Sequence, residues 1–262
     1  KIIDTGEIVS EHTYQILESL RRTIEEQNIS HRQSFTSTIG VGIYIVILIS
    51  LFGLYLYTYR RKLLDSLRHV LFFTILMAML ICAAFLVLRH FSASYIFLIP
   101  FAWVPIITRV FYDSRTAIFI HIITVFIVSI AAPAPYVFIL LQVITGIVAV
   151  ISLRDMTQRA QLAQTALFTF LMYSIVYTAS TLLVTGSIAN VEYNYYIYFA
   201  VNAVLVICAY GLIFLFERTF GLVSNITLVE LTTVNSNLML EFAEKAPGTF
   251  QHSLQVSNLA TE

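Results

Sequence analysis

The 262-residue sequence is 58% hydrophobic and only 11% charged, with a mean hydropathy of +0.83. Soluble domains usually carry about 25% charged residues, so the composition excludes an ordinary soluble domain and indicates an integral membrane protein. The 15 basic and 15 acidic side chains cancel, and no excess positive charge favours nucleic acid as a partner.

The first 38 residues are polar and predict an amphipathic helix that leads to the membrane. Ser10 is a suitable N-cap, and Glu11 in the first turn favours a helix start there. Apolar side chains then recur at helical spacing, at Tyr14, Leu17, Leu20 and Ile24. Because the chain begins at Lys1 and no signal peptide precedes the first apolar run, we interpret the sequence as a fragment of a longer protein.

Seven apolar segments follow, each close to the length that crosses a bilayer, which is about 20 residues. Prolines in "APAP" at 132–135 separate the fourth segment from the fifth, because proline does not continue a helix. The prediction is an all-α membrane protein, a bundle of seven transmembrane helices within residues 39–216. The segments are 39–59, 70–88, 94–112, 116–132, 136–153, 164–186 and 195–216.

Basic residues are unevenly distributed among the predicted loops, and this sets the orientation. The even-numbered loops hold Arg89 as their one basic residue. The odd-numbered loops and the C-terminal exit hold Arg60, Arg61, Lys62, Arg68, Arg109, Arg115, Arg154, Arg159 and Arg218. Because cytoplasmic loops are enriched in Lys and Arg, we expect the N-terminus outside and the C-terminus in the cytoplasm.

Ionisable residues near the third and fourth spans predict a polar cluster at the membrane. Its members are Arg109, Asp113, Arg115 and His121. His121 either pairs structurally with the preceding loop or acts as a sensor or relay. The lone amides Gln142 and Asn202 predict hydrogen bonds between helices.

The sixth span carries a polar stripe at the spacing i, i+4, i+8, i+11, which places its members on one helix face. They are Thr169, Tyr173, Tyr177 and Ser180. This face either packs inside the bundle or forms the wall of a small-molecule pocket. Charged residues at the midplane of a span and an inverted repeat, both typical of transporters, are not apparent in the sequence.

Residues 217–245 predict a cytoplasmic connecting helix. Its apolar positions follow heptad spacing at Leu228, Leu231, Asn235, Leu238 and Phe242. This helix either packs on its own domain or forms the stalk of a homodimer. Pro247 and Gly248 then interrupt it, and Thr249 is a suitable cap for a new helix from residue 250.

His252 lies on this last helix, on a face shared with Val256, Leu259 and Ala260, and is either a core residue or a ligand. The surrounding motif "APGTFQHS" at 246–253, with "VSNLATE" at 256–262 and "FERTFG" at 216–221, resembles the seven-transmembrane receptors with an intracellular HD hydrolase domain. "GEIVSEHTYQILESL" at 6–20 is similar to the end of their extracellular sensor domain, which assigns residues 1–38 to that end and a juxtamembrane helix. Thr261 and "NSNLM" at 235–239 depart from the family pattern.

The resemblance implies a multi-pass protein of the bacterial inner membrane that hydrolyses cyclic di-AMP in the cytoplasm. It makes residues 246–262 the first, incomplete helix of the hydrolase domain and His252 the first ligand of a site for two divalent metal ions, iron or manganese in type. The remaining ligands, including a His-Asp pair, are expected beyond Glu262. We therefore expect this chain by itself to bind no metal pair and to be inactive.

The resemblance also implies that the seven-span region senses an unidentified extracellular ligand. If the last span and residues 218–245 form one nearly continuous helix, they would move together and reposition the His252 helix. Two other functions stay open at this point: a non-catalytic membrane sensor or scaffold that signals through protein contacts, and a transporter. A His-Asp pair after residue 262 favours the hydrolase, a coiled coil leading to a kinase favours the scaffold, and uptake into vesicles favours the transporter.

Overall fold

The computed structural model describes residues 11–153, 160–224, 227 and 237–261. Every regular element in those ranges is a helix. The chain divides into two compact units, residues 1–51 and 52–262. Helix α1, Glu11–Tyr59, is 49 residues long and belongs to both. The sequence predicts a separate juxtamembrane helix and first span, but no proline interrupts residues 11–59, so the polar helix continues directly into the apolar one.

The second unit contains the other helices. After the short α2 (Arg61–Leu64) come α3 (Leu67–His90), a 3₁₀ helix (Ala93–Leu98), α4 (Trp103–Phe111), α5 (Ser114–Ser129), α6 (Pro135–Ser152), α7 (Ala160–Thr185), a second 3₁₀ helix (Ile188–Asn190) and α8 (Asn194–Phe220). Two helices follow near the C-terminus, Asn237–Lys245 and Pro247–Thr261.

Among the described residues, six helical segments are long and apolar enough to cross a membrane, which makes this a multi-pass membrane protein. They are Phe35–Tyr59, Leu67–His90, Ala93–Phe111, Pro135–Ser152, Gln161–Thr185 and Asn194–Phe220. The seventh apolar segment forms α5, which has 16 residues and a length of about 24 Å at 1.5 Å per residue. Most of α5 is buried, because it packs against α3, α4 and α6.

The third predicted span is not one continuous helix. The 3₁₀ helix Ala93–Leu98 and helix α4 are separated by an irregular stretch that includes Pro100. Asn202 of α8 is fully buried, and its amide Nδ2 donates to the carbonyl oxygens of Phe97 and Ile99 at 3.1 and 2.9 Å. The prediction that Asn202 makes a hydrogen bond between helices is therefore confirmed. This side chain satisfies backbone groups at a point where the helix is interrupted.

One end of the second unit is basic. This basic end carries Arg60, Arg61, Lys62 and Arg68. Arg60 pairs with Asp113, with 2.7 Å between Nη2 and Oδ2, so the link after α1 lies beside the link before α5. Phe72, early in α3, contacts Phe220 at the end of α8, with ring centroids 5.9 Å apart. The ends of these helices therefore meet on one side of the bundle.

The opposite end is aromatic. At this aromatic end Tyr195 stacks on Tyr177 with ring centroids 4.8 Å apart, and its hydroxyl lies 3.2 Å from that of Ser94. Tyr95 meets Tyr198 edge to face at 5.5 Å. These tyrosines contact one another where α7 ends and α8 begins, and tyrosine is enriched at membrane–water interfaces.

The connection that leaves α8 is not a continuous helix. Helix α8 ends at Phe220 because Gly221 adopts a left-handed conformation, with φ of 63°, and Leu222–Ser224 are not helical. Glu217 Oε1 accepts hydrogen bonds from the Ser224 backbone N–H and the Thr227 hydroxyl, both at 2.8 Å. The nearly continuous helix suggested by the sequence is therefore interrupted at Gly221.

Candidate functional site

His252 lies on the helix Pro247–Thr261, which begins three residues earlier than the sequence suggests. Pro247 occupies the first helical position, where its fixed φ is compatible and its missing N–H costs nothing. Phe250 is buried and meets Phe242 edge to face at 5.7 Å, which joins this helix to Asn237–Lys245. Of the heptad positions, Leu228, Leu231 and Asn235 lie outside the described residues, and Leu238 is exposed.

The face that carries His252 is open in the described part of the chain. His252, Val256 and Leu259 are all exposed, whereas the shared apolar face suggests an interior. Within the described ranges, no group of three or more His, Cys, Asp or Glu side chains is placed to hold a metal ion. A single exposed imidazole does not fit a site for two metal ions.

The residues of the predicted polar cluster have different partners in the structure. Asp113 pairs with Arg60 and accepts a 2.6 Å hydrogen bond from Thr116. Arg109 Nη1 donates to the backbone carbonyl of Tyr112 at 3.4 Å. Arg115, one residue into α5, is exposed.

Two opposing effects set the pKa of Asp113. Burial acts to raise it, but the hydrogen bonds from Thr116 and Arg60 and the positive charge of Arg60 outweigh burial, so the pKa is lowered. In return, the hydrogen bond and the charge of Asp113 raise the pKa of Arg60. This ion pair fixes the two links at the basic end of the bundle.

His121 points into the protein, away from Asp113. It is 1% exposed, and its Nε2 lies 2.9 Å from the backbone carbonyl of Gln142, so Nε2 carries the proton and donates. Gly146, one turn further along α6, makes room for the ring, because a Cβ there would lie 2.1 Å from His121 Nε2. The Gln142 side-chain oxygen accepts a 2.6 Å hydrogen bond from the hydroxyl of Tyr173.

These contacts form a buried polar seam through α5, α6 and α7, made of His121, Gln142 and Tyr173. The prediction that Gln142 makes a hydrogen bond between helices is confirmed. Among the described residues, His121 Nδ1, Gln142 Nε2 and the Thr145 hydroxyl are buried without a hydrogen-bond partner. Buried polar atoms are usually paired, so these three atoms are exceptions to the usual pattern.

The polar stripe of α7 faces inward along its whole length. Thr169, Tyr173, Tyr177 and Ser180 are 0%, 1%, 8% and 4% exposed. Thr169 donates to the carbonyl of Ala166, and Tyr173 belongs to the polar seam. Thr169 and Tyr173 therefore pack in the core. Tyr177 and Ser180, which are nearer the C-terminal end of α7, line a cavity at the aromatic end.

This aromatic-end cavity has a volume of about 350 Å³, and none of the described residues that line it is charged. Small-molecule sites commonly start at about 300 Å³ and combine apolar walls with a few polar groups. Its lining comprises Ala93, Ser94, Ile96, Phe97, Pro133, Ala134, Val137, Phe138, Tyr177, Ser180, Thr181, Val184, Thr185 and Tyr195.

Sequence reasoning missed three of the residues that shape these sites. In the sequence Arg60 is one of several basic loop residues, and its pairing with Asp113 depends on the link after α1 lying beside the link before α5. Small residues are common in apolar helices, so Gly146 does not stand out in the sequence. Its contact with His121 depends on the register of α5 against α6. Ser94 reaches the cavity from the 3₁₀ helix, which the sequence pattern does not separate from a span.

Comparison with known proteins identifies similar chains. The model of a family described as "7TM receptor with intracellular HD hydrolase" matches residues 35–224. A cyclic-di-AMP phosphodiesterase PgpH of Listeria monocytogenes serotype 1/2a (strain 10403S) is 27% identical over 274 residues, which cover 99% of this chain and 36% of that protein. The protein of the same name from Bacillus subtilis (strain 168) is 24% identical over 275 residues, covering 99% of this chain and 37% of that protein.

The chain therefore spans little more than a third of the length of these relatives. No solved structure matches it.

Proposed function

The chain belongs to the family of seven-transmembrane receptors with an intracellular HD hydrolase, and from this premise we propose that it is the membrane part of a cyclic di-AMP phosphodiesterase of the bacterial inner membrane. The observation that carries the proposal is that two proteins named as cyclic-di-AMP phosphodiesterases each align with 99% of the chain. The six apolar helical segments of spanning length among the described residues agree with the membrane location.

We propose that α5 is the seventh crossing. It is shorter than the roughly 30 Å hydrocarbon core, but protein surrounds most of it, so lipid thickness does not limit its length. Its first turn is joined to Asp113 at the basic end. The link after it, at Pro133, lines the aromatic-end cavity. A helix that begins at one end of the bundle and finishes at the other supports a crossing.

The proposed orientation has the basic end in the cytoplasm and the N-terminus outside. The support is the distribution of Lys and Arg among the loops, together with the pairing of Arg60 and Asp113 at one end of the bundle. The aromatic end then lies at the outer surface, where tyrosine is favoured. In this orientation the helix with His252 is cytoplasmic.

In the complete protein, we propose that His252 is the first ligand of a site for two divalent metal ions. The described residues do not form such a site, and the other ligands would have to come from elsewhere in the protein. The exposed face of the helix Pro247–Thr261 supports this role, because Val256 and Leu259 are available to pack against further elements. The seven-span region would receive the external signal and pass it to the hydrolase.

The test measures cyclic di-AMP hydrolysis by the complete protein that carries this chain, with and without added Mn²⁺ or Fe²⁺. The variant His252→Ala is expected to lose more activity than the roughly 10- to 100-fold that loss of a supporting group around a metal costs. Gln251→Ala is the matched control, because Gln251 is an exposed neighbour on the same helix. Full activity in His252→Ala, or metal-independent hydrolysis, would contradict the proposed role.

A further inference from the structure

The aromatic-end cavity has the composition of a ligand site. The helix Pro247–Thr261 that carries His252 does not line it. Five segments build it: the 3₁₀ helix Ala93–Leu98, the link around Pro133, and helices α6, α7 and α8. A molecule held there would contact elements that are distant from one another in the sequence. A preference of that molecule for one arrangement of these segments would favour that arrangement.

The walls of the cavity favour a ring. Tyr195 stacks on Tyr177 at 4.8 Å and meets Phe97 edge to face at 5.4 Å. Phe138 lies 6.2 Å from Phe97, so the aromatic surface continues from α8 across to α6. Such rings gain energy from offset stacking and edge-to-face contacts with another ring.

The Ser180 hydroxyl is the polar group of the cavity that is available to a ligand. The Thr181 and Thr185 hydroxyls donate to carbonyl oxygens of the preceding turn of α7, and the Tyr195 hydroxyl pairs with Ser94. Within the described ranges, the Ser180 hydroxyl has no hydrogen-bond partner, and its side chain lines the cavity. Ser180 is 4% exposed, so a ligand atom that pairs with this hydroxyl would satisfy a largely buried group.

Charge in the ligand is disfavoured. Among the described residues, no Asp, Glu, Lys, Arg or His lines the cavity, and an ion without a counter-charge is costly in such surroundings. A volume of about 350 Å³ is near the lower limit for ligand pockets, which favours a compact molecule. A plain acyl chain would fill the space but leave the Ser180 hydroxyl unpaired.

We propose that the aromatic-end cavity binds a small uncharged molecule that carries an aromatic or alicyclic ring and one hydrogen-bonding group, with the ring against Tyr177, Tyr195 and Phe97 and the polar group on Ser180. This inference rests on the proposed function for its biological meaning, since it gives the receptor an external binding site in the bundle. Its chemistry rests on the cavity alone.

The test measures binding of three uncharged probes, 1-naphthol, indole and cyclohexanol, to the complete protein in lipid nanodiscs by equilibrium dialysis. Empty nanodiscs of the same lipid composition give the partitioning background. We expect saturable binding of at least one probe, at one molecule per chain. Ser180→Phe fills the cavity and is expected to abolish that binding. Ala179→Phe is the matched control, because Ala179 is the exposed neighbour on α7 and does not line the cavity.

Ser180→Ala keeps the shape and removes the hydroxyl, and it tests the proposal even if the phenylalanine variant fails to fold. We expect it to weaken binding of each probe that binds saturably about 2- to 10-fold, the range of one net hydrogen bond. Four results would overturn the proposal. They are partitioning alone for all three probes, unchanged binding in Ser180→Phe, unchanged binding of every saturable probe in Ser180→Ala, and displacement of the bound probe by n-decane as effectively as by a second ring probe, which would identify a hydrocarbon groove.

Dialysis needs no enzymatic activity, so the two proposals fail separately. Absence of saturable binding beside normal cyclic di-AMP hydrolysis overturns the ligand site alone. Saturable, Ser180-dependent binding in a protein that does not hydrolyse cyclic di-AMP overturns the proposed function alone.

Discussion

Arg60 Nη2 lies 2.7 Å from Asp113 Oδ2, which ties the link after α1 to the link before α5. The two side chains are 40% and 34% exposed, so water screens their attraction. The pair nevertheless joins segments 53 residues apart in the sequence, at the end of the bundle that we place in the cytoplasm.

We expect Arg60→Gln and Asp113→Asn each to destabilise the bundle modestly, with a coupling free energy of about 0.5–1 kcal/mol between them. A double-mutant cycle measured by unfolding in mixed detergent micelles gives this value. The coupling should fall with added salt, because the pair is partly exposed. Strictly additive effects of the two substitutions would mean that the ion pair does not contribute to stability.

The same carboxylate predicts a dependence on pH. The pKa of Asp113 in the folded protein is lowered from its ordinary value of 3.8, so its contribution to stability is present above that value and is lost as the pH falls through the folded pKa. The stability difference between the unchanged protein and Asp113→Asn should therefore be constant from pH 7 to pH 5 and shrink between pH 4 and pH 2. Unfolding measurements on both proteins across this range test it, and a difference that grows on acidification would contradict the assignment.

The contact between Gly146 and His121 predicts a large effect from a single methyl group. In Gly146→Ala the new Cβ would lie 2.1 Å from His121 Nε2, so the ring must move and lose its bond to the Gln142 carbonyl. We expect a loss of stability of about 1–3 kcal/mol. Thermal unfolding in detergent measures it.

Gly211→Ala is the control for this substitution, because nothing lies within 4 Å of a Cβ at Gly211 in α8. It should leave stability unchanged or raise it by up to about 1 kcal/mol, the helix preference of alanine over glycine. The double variant His121→Ala/Gly146→Ala should be less destabilised than the sum of the single variants, since each removes the reason for the other's effect. Additive losses would show that the two residues do not compete for the same space.

The sequence predicts the all-helical class and the amide bonds of Gln142 and Asn202, because hydropathy and lone polar residues report directly on a membrane environment. It does not predict the partner of His121. Asp113 lies eight residues earlier, about 12 Å along the helix axis, so helical geometry removes His121 from the loop charges. Which carbonyl it meets then depends on how α5 and α6 pack, and one sequence does not specify that register.

The break after α8 could be anticipated only in part. Glycine is a common helix terminator, but "FERTFG" alone does not distinguish a left-handed Gly221 from a helical one. Since φ at Gly221 is 63°, we expect Gly221→Ala to cost about 1 kcal/mol, the penalty of a side chain in that conformation. Gly221→Asn should cost less, because asparagine tolerates it better. Equal stability of Gly221→Ala and Gly211→Ala in thermal unfolding would indicate that the helix continues past residue 221.

The two hydrogen bonds of Asn202 are expected to stabilise the interrupted segment after the 3₁₀ helix. Its Nδ2 donates to the carbonyls of Phe97 and Ile99, in a stretch where Pro100 prevents regular helical bonding. Asn202→Leu keeps the branching of the side chain but removes both bonds, and we expect a loss of about 1–3 kcal/mol, because buried carbonyl groups lose a partner that lipid cannot replace.

Gln164→Leu is the comparison for Asn202→Leu, since Gln164 is an exposed amide on α7 and its removal should change stability by less than about 0.5 kcal/mol. Both variants are unfolded in the same detergent series. Hydrogen exchange of the amides around Phe101 and Trp103 should also rise in Asn202→Leu, because the segment that Asn202 holds would open locally. If the two variants are equally stable and exchange is unchanged there, the interrupted segment is held by packing alone, and the Asn202 amide is not what fixes it.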